Sequence, residues 1–494
     1  MSNNYILAID QSTSGTKALL FSGEGDLISR CDRSHQQIIN DKGWVEHDPM
    51  EIYRNTIGVV KDVVEKSGIN KDDIVGLGIS NQRETAMAWD KESGKPVYNA
   101  IVWQCARGEA ICKEISRNGH ADEIKAATGL HISPYFSAAK LAWILQNVPL
   151  AQKTDEEGNL HCGTMDSWLI YKLTNAKSFK TDASNASRTQ LLNISKLQWD
   201  ETVCALFGIK TEWLAQVCDS NSLFGETDFE GYFNKPIPIH SVMGDSHGAL
   251  FGQGCLERGM IKTTYGTGSS VMMNIGKEPI FSESGIVTSI AWSMDGKVDY
   301  VLEGNINYTG AVMKWIVDDL GLISSAKEAS QVAESANPSD ETYLVPAFTG
   351  LGAPYWDSKA KAIICGMTRN TGKAELVKAA EECIAYQIAD IVNAMSRESG
   401  IKIQTLRVDG GPTKDTFLMQ FQSDILDISV MVPGTEELSG VGAAYAAGIA
   451  LGVYDKRKIF QRISKKTFLP SMSDAERSKR KKGWHDAVEL VLTH

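Results

Sequence analysis

Five short stretches of this chain carry residue types suited to phosphate and alcohol chemistry. The first, DQSTSGTK at 10–17, folds hydroxyls and a glycine into a tight turn. Backbone N–H groups in such a turn cradle phosphate oxygens, and Lys17 adds positive charge. Asp10 is a candidate carboxylate for Mg²⁺, acting through water because Mg²⁺ keeps much of its hydration shell. The second, YGTGSS at 265–270, repeats the theme, with Thr267 as candidate phosphate ligand. Two such turns facing each other across a cleft make a clamp for β- and γ-phosphates, whereas each alone is equally a polar hairpin tip. The third, LRVDGGPTKDTF at 406–417, runs strand, Gly410-Gly411, helix. That order lets a flat ligand or a phosphate approach the backbone closely, although by itself it is a common strand–helix turn.

The fourth stretch, NQRETAMAWD at 81–90, sets Arg83 and Glu84 just past a strand end. In a cleft they donate to and accept from polyol hydroxyls; on a surface they are an ordinary ion pair. The fifth is GDSHGALFG at 244–252. Phosphoryl transfer to an alcohol needs a carboxylate in reach of the attacking hydroxyl, together with in-line placement and charge neutralisation. Asp245 offers that carboxylate, while a lone Gly-Asp is more often a turn. His247 has no serine–carboxylate triad pattern around it and reads as structural or as a substrate contact.

Strands and helices alternate around these stretches. Tyr5–Ile9 and Lys17–Phe21 read as a hairpin, and Ile74–Ile79 as a strand. Asp48 predicts a helix N-cap, with Pro49 at the first helical position, Glu51 three after the cap and one apolar face at Ile52, Thr56, Val60 and Val63. ILAID-QSTSGT-KALLF and MIKTT-YGTGSS-VMMNI share the order strand, hydroxyl/glycine turn, strand, which points to an internal duplication. Leu376–Ser396, Thr416–Leu426 and the small-residue run Val441–Leu451 read as helices. Two α/β domains follow, 1–249 and 250–494, with a ligand cleft between them.

The 494 residues suffice for two domains, and 43% hydrophobic with 22% charged residues is globular composition. A net charge of −11 argues against nucleic acid or anionic membrane as partner. The nine cysteines show no zinc or redox spacing, so reduced thiols in the cytoplasm are expected. The start carries no signal-peptide pattern, and no window reaches the about 18 apolar residues of a membrane span. The basic run RSKRKK, Arg477–Lys482, reads as a solvated helix face. P-loop, protein-kinase and HExxH motifs are missing.

Taken together, SNQRETAMAW, KPVYNAIVWQC, ATGLHISPYFSAAKLAWIL, VPAFTGLGAPYWD, LRVDGG and FLMQFQSDIL give the chain a specific likeness. It resembles the FGGY carbohydrate kinases over nearly its whole length. Tyr135–Asn147 fits that family's first signature, including Ser137, Lys140 and Trp143. Ala362–Glu382 fits the second except at Glu381, where an apolar residue is usual. The resemblance implies two duplicated actin/Hsp70/hexokinase-like (ribonuclease H-like) domains and ATP with Mg²⁺ as cofactors. It implies phosphorylation of glycerol or a related small polyol and no nucleic-acid or membrane partner. Family members are often homodimers or homotetramers.

By the same resemblance Asp245 is the general base and Asp10 the metal-associated carboxylate. Arg83, Glu84, Trp103 and Tyr135 hold the polyol. Thr13, Ser14, Gly15, Lys17, Thr267, Gly310 and Gly411 fall on nucleotide positions. Ser246 stands where glycerol-phosphorylating members carry a glutamine that contacts substrate, and Ser270 where they carry a phenylalanine. Near the nucleotide, Lys314 replaces a glutamine and Asp415 an asparagine. Gly231 stands where some members have a phosphorylatable regulatory histidine. Losing a Phe-sized wall frees roughly 100 Å³, of the order of one or two carbon–hydroxyl units. A four- or five-carbon polyol or ketose is therefore an alternative substrate, and a non-catalytic sugar or nucleotide sensor the alternative outside enzymes.

Overall fold

A computed structural model describes residues 4–493. The first half is built on strands β1 (Tyr5–Gln11), β2 (Gly15–Phe21), β3 (Leu27–Ser34), β4 (Ile74–Asn81) and β5 (Ile237–Gly244). β1, β2 and β3 form an antiparallel meander, β4 pairs parallel to β1, and β5 parallel to β4. The second half repeats this with β6 (Ile261–Tyr265), β7 (Ser269–Gly276), β8 (Lys297–Ile306), β9 (Thr405–Asp409) and β10 (Ser429–Pro433). Again the first three are antiparallel, β9 is parallel to β6 and β10 to β9. The duplication read from the two hairpins thus extends to sheet order. Because both sheets run the same way, both hydroxyl/glycine turns project from equivalent strand ends.

Helix α1 (Pro49–Ser67) starts as expected: the Asp48 side chain accepts from Met50 N at 2.8 Å. Glu51 does not close a capping box. Its carboxylate turns to Gln36 N, at 3.2 Å from both oxygens, and so ties β3's exit to the helix. A separate antiparallel sheet, in which Leu160–Thr164 is an edge strand paired with Ala86–Asp90, projects from the first half. Helix α2 (Ser137–Asn147) packs on that lobe.

Two further helices meet at the seam between the halves. Helix α3 (Asp245–Gly252) continues directly from β5, and α6 (Leu438–Ala450) lies across it; between them in sequence come α4 (Lys373–Ser399) and α5 (Thr416–Leu426). A Cβ on Gly442 would lie 1.9 Å from Gly248 O, and one on Gly252 would lie 2.3 Å from Leu438 O. Only glycine permits that crossing distance, which explains the small-residue composition of VGAAYAAGIAL. α6 also packs on β1, β4 and β5, so the late part of the chain completes the first sheet.

The C-terminal helix Asp474–Glu489 corrects one expectation. Its basic run is not simply solvated: Arg477 is buried, donates to Asp424 O and pairs with Asp474 and Asp427, while Arg480 pairs with Glu382 and Glu476. These partners lie up to about a hundred positions away in sequence, out of reach of a local charge count.

Candidate active site

The sheets bring the five stretches together at one cleft. Asp10 is the penultimate residue of β1 and is 6% exposed; Ser80 Oγ on β4 donates to it at 3.1 Å. Burial raises its carboxyl to about 6, with Asp245 and Glu437 adding to the rise and Lys17 and Ser80 opposing it. In the first turn Ser12 N donates to Gly15 O at 2.8 Å. Ser14 is at the exposed tip. Thr13 Oγ1 accepts from Trp103 Nε1 at 2.9 Å, so the turn is braced by an aromatic side chain from the inserted lobe. Lys17 is not free: its Nζ pairs with Glu437 Oε2 at 2.8 Å, just ahead of α6.

The second turn is tied to the short helix Gly310–Lys314. Gly310 N donates to Gly266 O at 2.9 Å, and Thr309 N and Ala311 N both donate to Thr267 O at 3.0 Å. The Thr267 side chain is left exposed to the cleft. Thr267, Gly310, Lys314, Trp315, Phe348 and Pro412 border one cavity of about 480 Å³. Trp315 and Phe348 rings meet edge-on at 5.0 Å, giving it an apolar wall suited to a base.

At the third stretch Gly410 has φ +100°, and a Cβ there would lie 1.9 Å from Tyr265 O. Gly411 begins a short 3₁₀ turn. Asp415 is the N-cap of α5, its Oδ1 accepting from Leu418 N at 2.9 Å. Part of its carboxylate therefore serves the helix. Behind it stands Glu381 of α4, buried with Oε2 unpartnered; burial and Asp415 push its carboxyl well up.

The four residues expected to hold the polyol lie together. Arg83 and Glu84 are 5% and 2% exposed, so they are not a surface pair. Glu84 takes φ +60°, and Ser137 Oγ fixes its carbonyl at 3.1 Å. Trp103 and Tyr135 meet edge-on at 5.5 Å. Lys140 Nζ donates to the carbonyls of Pro134, Tyr135 and Phe136 at 2.6, 2.5 and 3.1 Å, which pins the loop that presents Tyr135. Asp245 is the first residue of α3, its side chain 33% exposed, with Arg83 Nε 3.3 Å from Oδ1. Gly244 before it is sterically required: a Cβ there would lie 2.6 Å from Arg83 Cγ and Cδ. Ser246 N donates to Asp245 Oδ1 at 2.6 Å.

Two residues escaped the reading of the sequence. Arg188 pairs with Glu84 at 2.6 Å and with Glu303 at 3.1 Å; Glu303 grips Arg83 with both oxygens at 2.8 Å. Ser270 Oγ also donates to Glu303, at 3.3 Å. His247 is fully buried beside them, and burial, then Arg83, lowers its proton affinity well below that of a free imidazole. It is a buried core residue whose Nε2 lies 3.5 Å from Ser289 Oγ. Glu303 had one legible signal, a lone carboxylate inside the strand stretch YVLEGNI; Arg188 had none.

Residues 5–252 match the FGGY family of carbohydrate kinases, N-terminal domain, and residues 261–451 match its C-terminal domain. The chain belongs to the FGGY family of carbohydrate kinases. As an FGGY kinase it is a phosphotransferase with an alcohol group as acceptor. It is similar to glycerol kinase 1 of Thermotoga maritima, at 50% identity over 491 residues, 99% of this chain and 100% of that one. Glycerol kinase of Oceanobacillus iheyensis is 45% identical over 493 residues, 99% of each chain. Among solved structures, Plasmodium falciparum glycerol kinase with ADP superposes with a TM-score of 0.95 at 36% identity, covering 100% of this chain and 99% of that one. Among the described residues no helix is long and apolar enough to cross a membrane.

The turn at Gly410 gives this FGGY kinase a sharp steric test. Gly410→Ala is expected to destabilise the fold by more than about 1 kcal/mol and to raise the KM for ATP. Thermal unfolding and ATP titration of the rate check this; an unchanged Tm and KM would contradict it.

Proposed function

We propose that this kinase transfers the γ-phosphoryl group of ATP to a terminal hydroxyl of glycerol or a related small polyol. The observation that carries the reading is Asp245, a partly open carboxylate on the cleft floor against the buried Arg83. The identity to named glycerol kinases supports glycerol as the substrate.

In this reading the rings of Trp103 and Tyr135 wall the carbon chain, and Arg83 and Glu84 serve its hydroxyls as donor and acceptor. Glu84 Oε1 is taken by Arg188, which leaves Oε2 for the substrate. Asp245 accepts the proton of the attacking hydroxyl as its oxygen bonds the γ-phosphorus. The bond from that phosphorus to the β,γ-bridging oxygen breaks, and ADP and the polyol phosphate depart. The glycine-lined turns at 13–15, 266–268 and 410–411 would hold the phosphates and nucleotide; at Gly411 the backbone faces open space, with nothing within 4 Å of where a Cβ would stand. Asp10 would hold Mg²⁺ through water, which suits a single buried carboxylate where no group of three or more ligating side chains occurs among the described residues. When bound, Mg²⁺ neutralises charge on the transferring phosphates.

Ser246 and Ser270 favour a second reading, a four- or five-carbon polyol or ketose. An ADP-release assay with Mg·ATP and glycerol, dihydroxyacetone, erythritol, threitol, ribitol, arabitol, xylulose and ribulose tests both. Glycerol is expected to raise ADP release well above background, with at least one longer polyol also turned over. If no alcohol does so, the kinase reading fails in favour of a sensor. If glycerol has by far the highest kcat/KM, the roomier pocket is not used.

A further inference from the structure

Arg83 raises a problem for any base at position 245. A guanidinium presents a rigid fork that binds carboxylates through two parallel hydrogen bonds. Asp245 is close enough to be captured in that way, since Oδ1 lies 3.3 Å from Arg83 Nε. A base captured by the fork would have its lone pairs turned from the substrate. In the structure the fork is occupied by another carboxylate. Glu303 Oε1 accepts from Nη2 and Oε2 from Nη1, both at 2.8 Å. Each oxygen has a second partner, Ser270 Oγ on Oε1 at 3.3 Å and Arg188 Nη1 on Oε2 at 3.1 Å. Glu303 is thus gripped on all sides, and its side chain is wholly buried. The Arg83 stem passes close over Gly244, where a Cβ would lie 2.6 Å from its Cγ and Cδ, so this path depends on the glycine.

Resting on the kinase reading above, we propose that Glu303 is a positioning residue for the phosphoryl transfer. It occupies the Arg83 fork, so that Asp245 meets only the Nε edge and stays free to take the substrate's proton. Glu303 lies on β8, in the second half of the chain, while Arg83 follows β4 and Asp245 opens α3, in or at the end of the first. The freedom of the base is therefore set by how the two halves sit against each other.

The test is a cycle of variants in the full chain. Glu303→Gln keeps the size but offers an amide N–H₂ to the guanidinium, so Arg83 is driven toward Asp245. The kcat is expected to fall about 10²-fold, the scale of losing a general base, with the KM for ATP within twofold. In an Asp245→Asn background the same change is expected to cost less than threefold in kcat, because no base remains to be freed. Glu303→Asp, which restores the charge on a shorter side chain, is expected to recover about tenfold over Gln and so to stay about tenfold below wild type. A purely structural role would give equal factors in both backgrounds, and that result overturns the proposal. So does a Glu303→Gln kcat within threefold of wild type. If Glu303→Gln does not fold, Glu303→Asp alone decides: about a tenfold loss in kcat with ATP KM unchanged supports the proposal, and a kcat within twofold of wild type overturns it. A wild type that phosphorylates no alcohol sinks this inference together with the kinase reading, whereas an active wild type with equal factors sinks this inference alone.

Discussion

Asp245→Asn is expected to lose at least about 10²-fold in kcat while keeping its affinity for nucleotide. The substitution preserves the shape of the side chain at the start of α3 and removes the proton acceptor. Nucleotide binding should survive, because the cavity beside Thr267, Gly310 and Lys314 and the turn at Gly410 are formed by other elements. Single-turnover ADP formation gives the rate, and calorimetric titration with the nucleotide gives the affinity. A rate like that of the wild type would remove Asp245 from the mechanism. A loss of both rate and affinity would make it a structural residue of the cleft.

The second large effect is on stability. Arg188→Met is expected to cost about 3–5 kcal/mol, because it leaves buried carboxylates without their counter-charge. Arg188 is 1% exposed and links Glu84 to Glu303. Without it the counter-charge left to Glu84 is Arg83, 3.9 Å away through Nε, and Glu303 keeps the Arg83 fork and the Ser270 hydroxyl. Methionine fills the volume, so the loss is electrostatic and not a cavity. Denaturant unfolding followed by tryptophan fluorescence measures it as a lowered midpoint. The KM for polyol should rise with it, since Glu84 is one of the proposed substrate acceptors. A midpoint unchanged from wild type would mean that the cluster has opened to water or taken up protons.

These two predictions differ in how far the sequence alone supports them. The Asp245 argument was legible, because both hydroxyl/glycine turns, the Asp48 cap and the strand-end position of Gly244-Asp245 are local patterns. So were the duplication and most strands, whose apolar runs are short and bounded by turns. Arg188 was not legible, because its partners stand 104 and 115 positions away and no periodicity links them. Lys17 shows the same limit from the other side. A lysine beside a phosphate turn reads as an anion ligand, and its pairing with Glu437 depends on α6 returning to the first sheet. Glu51 sits at capping-box spacing, yet a nearer competitor, Gln36 N, takes its carboxylate. Local patterns report what a residue can do; which partner wins is decided by contacts between distant segments.

The glycine-to-glycine crossing of α3 and α6 also bears on how the chain is made. Val441, Ala443 and Ala444 of α6 join Ile6, Ala8, Leu19 and Met243 in one apolar cluster. During synthesis the sheet half of that cluster emerges roughly two hundred residues before the helix that covers it. At about 5–20 residues per second, this leaves an apolar seat open for on the order of ten to forty seconds. The helix that begins with Asp245 shares that wait, so the cleft is assembled only when the last tenth of the polypeptide is being added. A nascent chain released early would carry Arg83, Glu84, Trp103, Tyr135 and Asp245 without the helix that packs on α3.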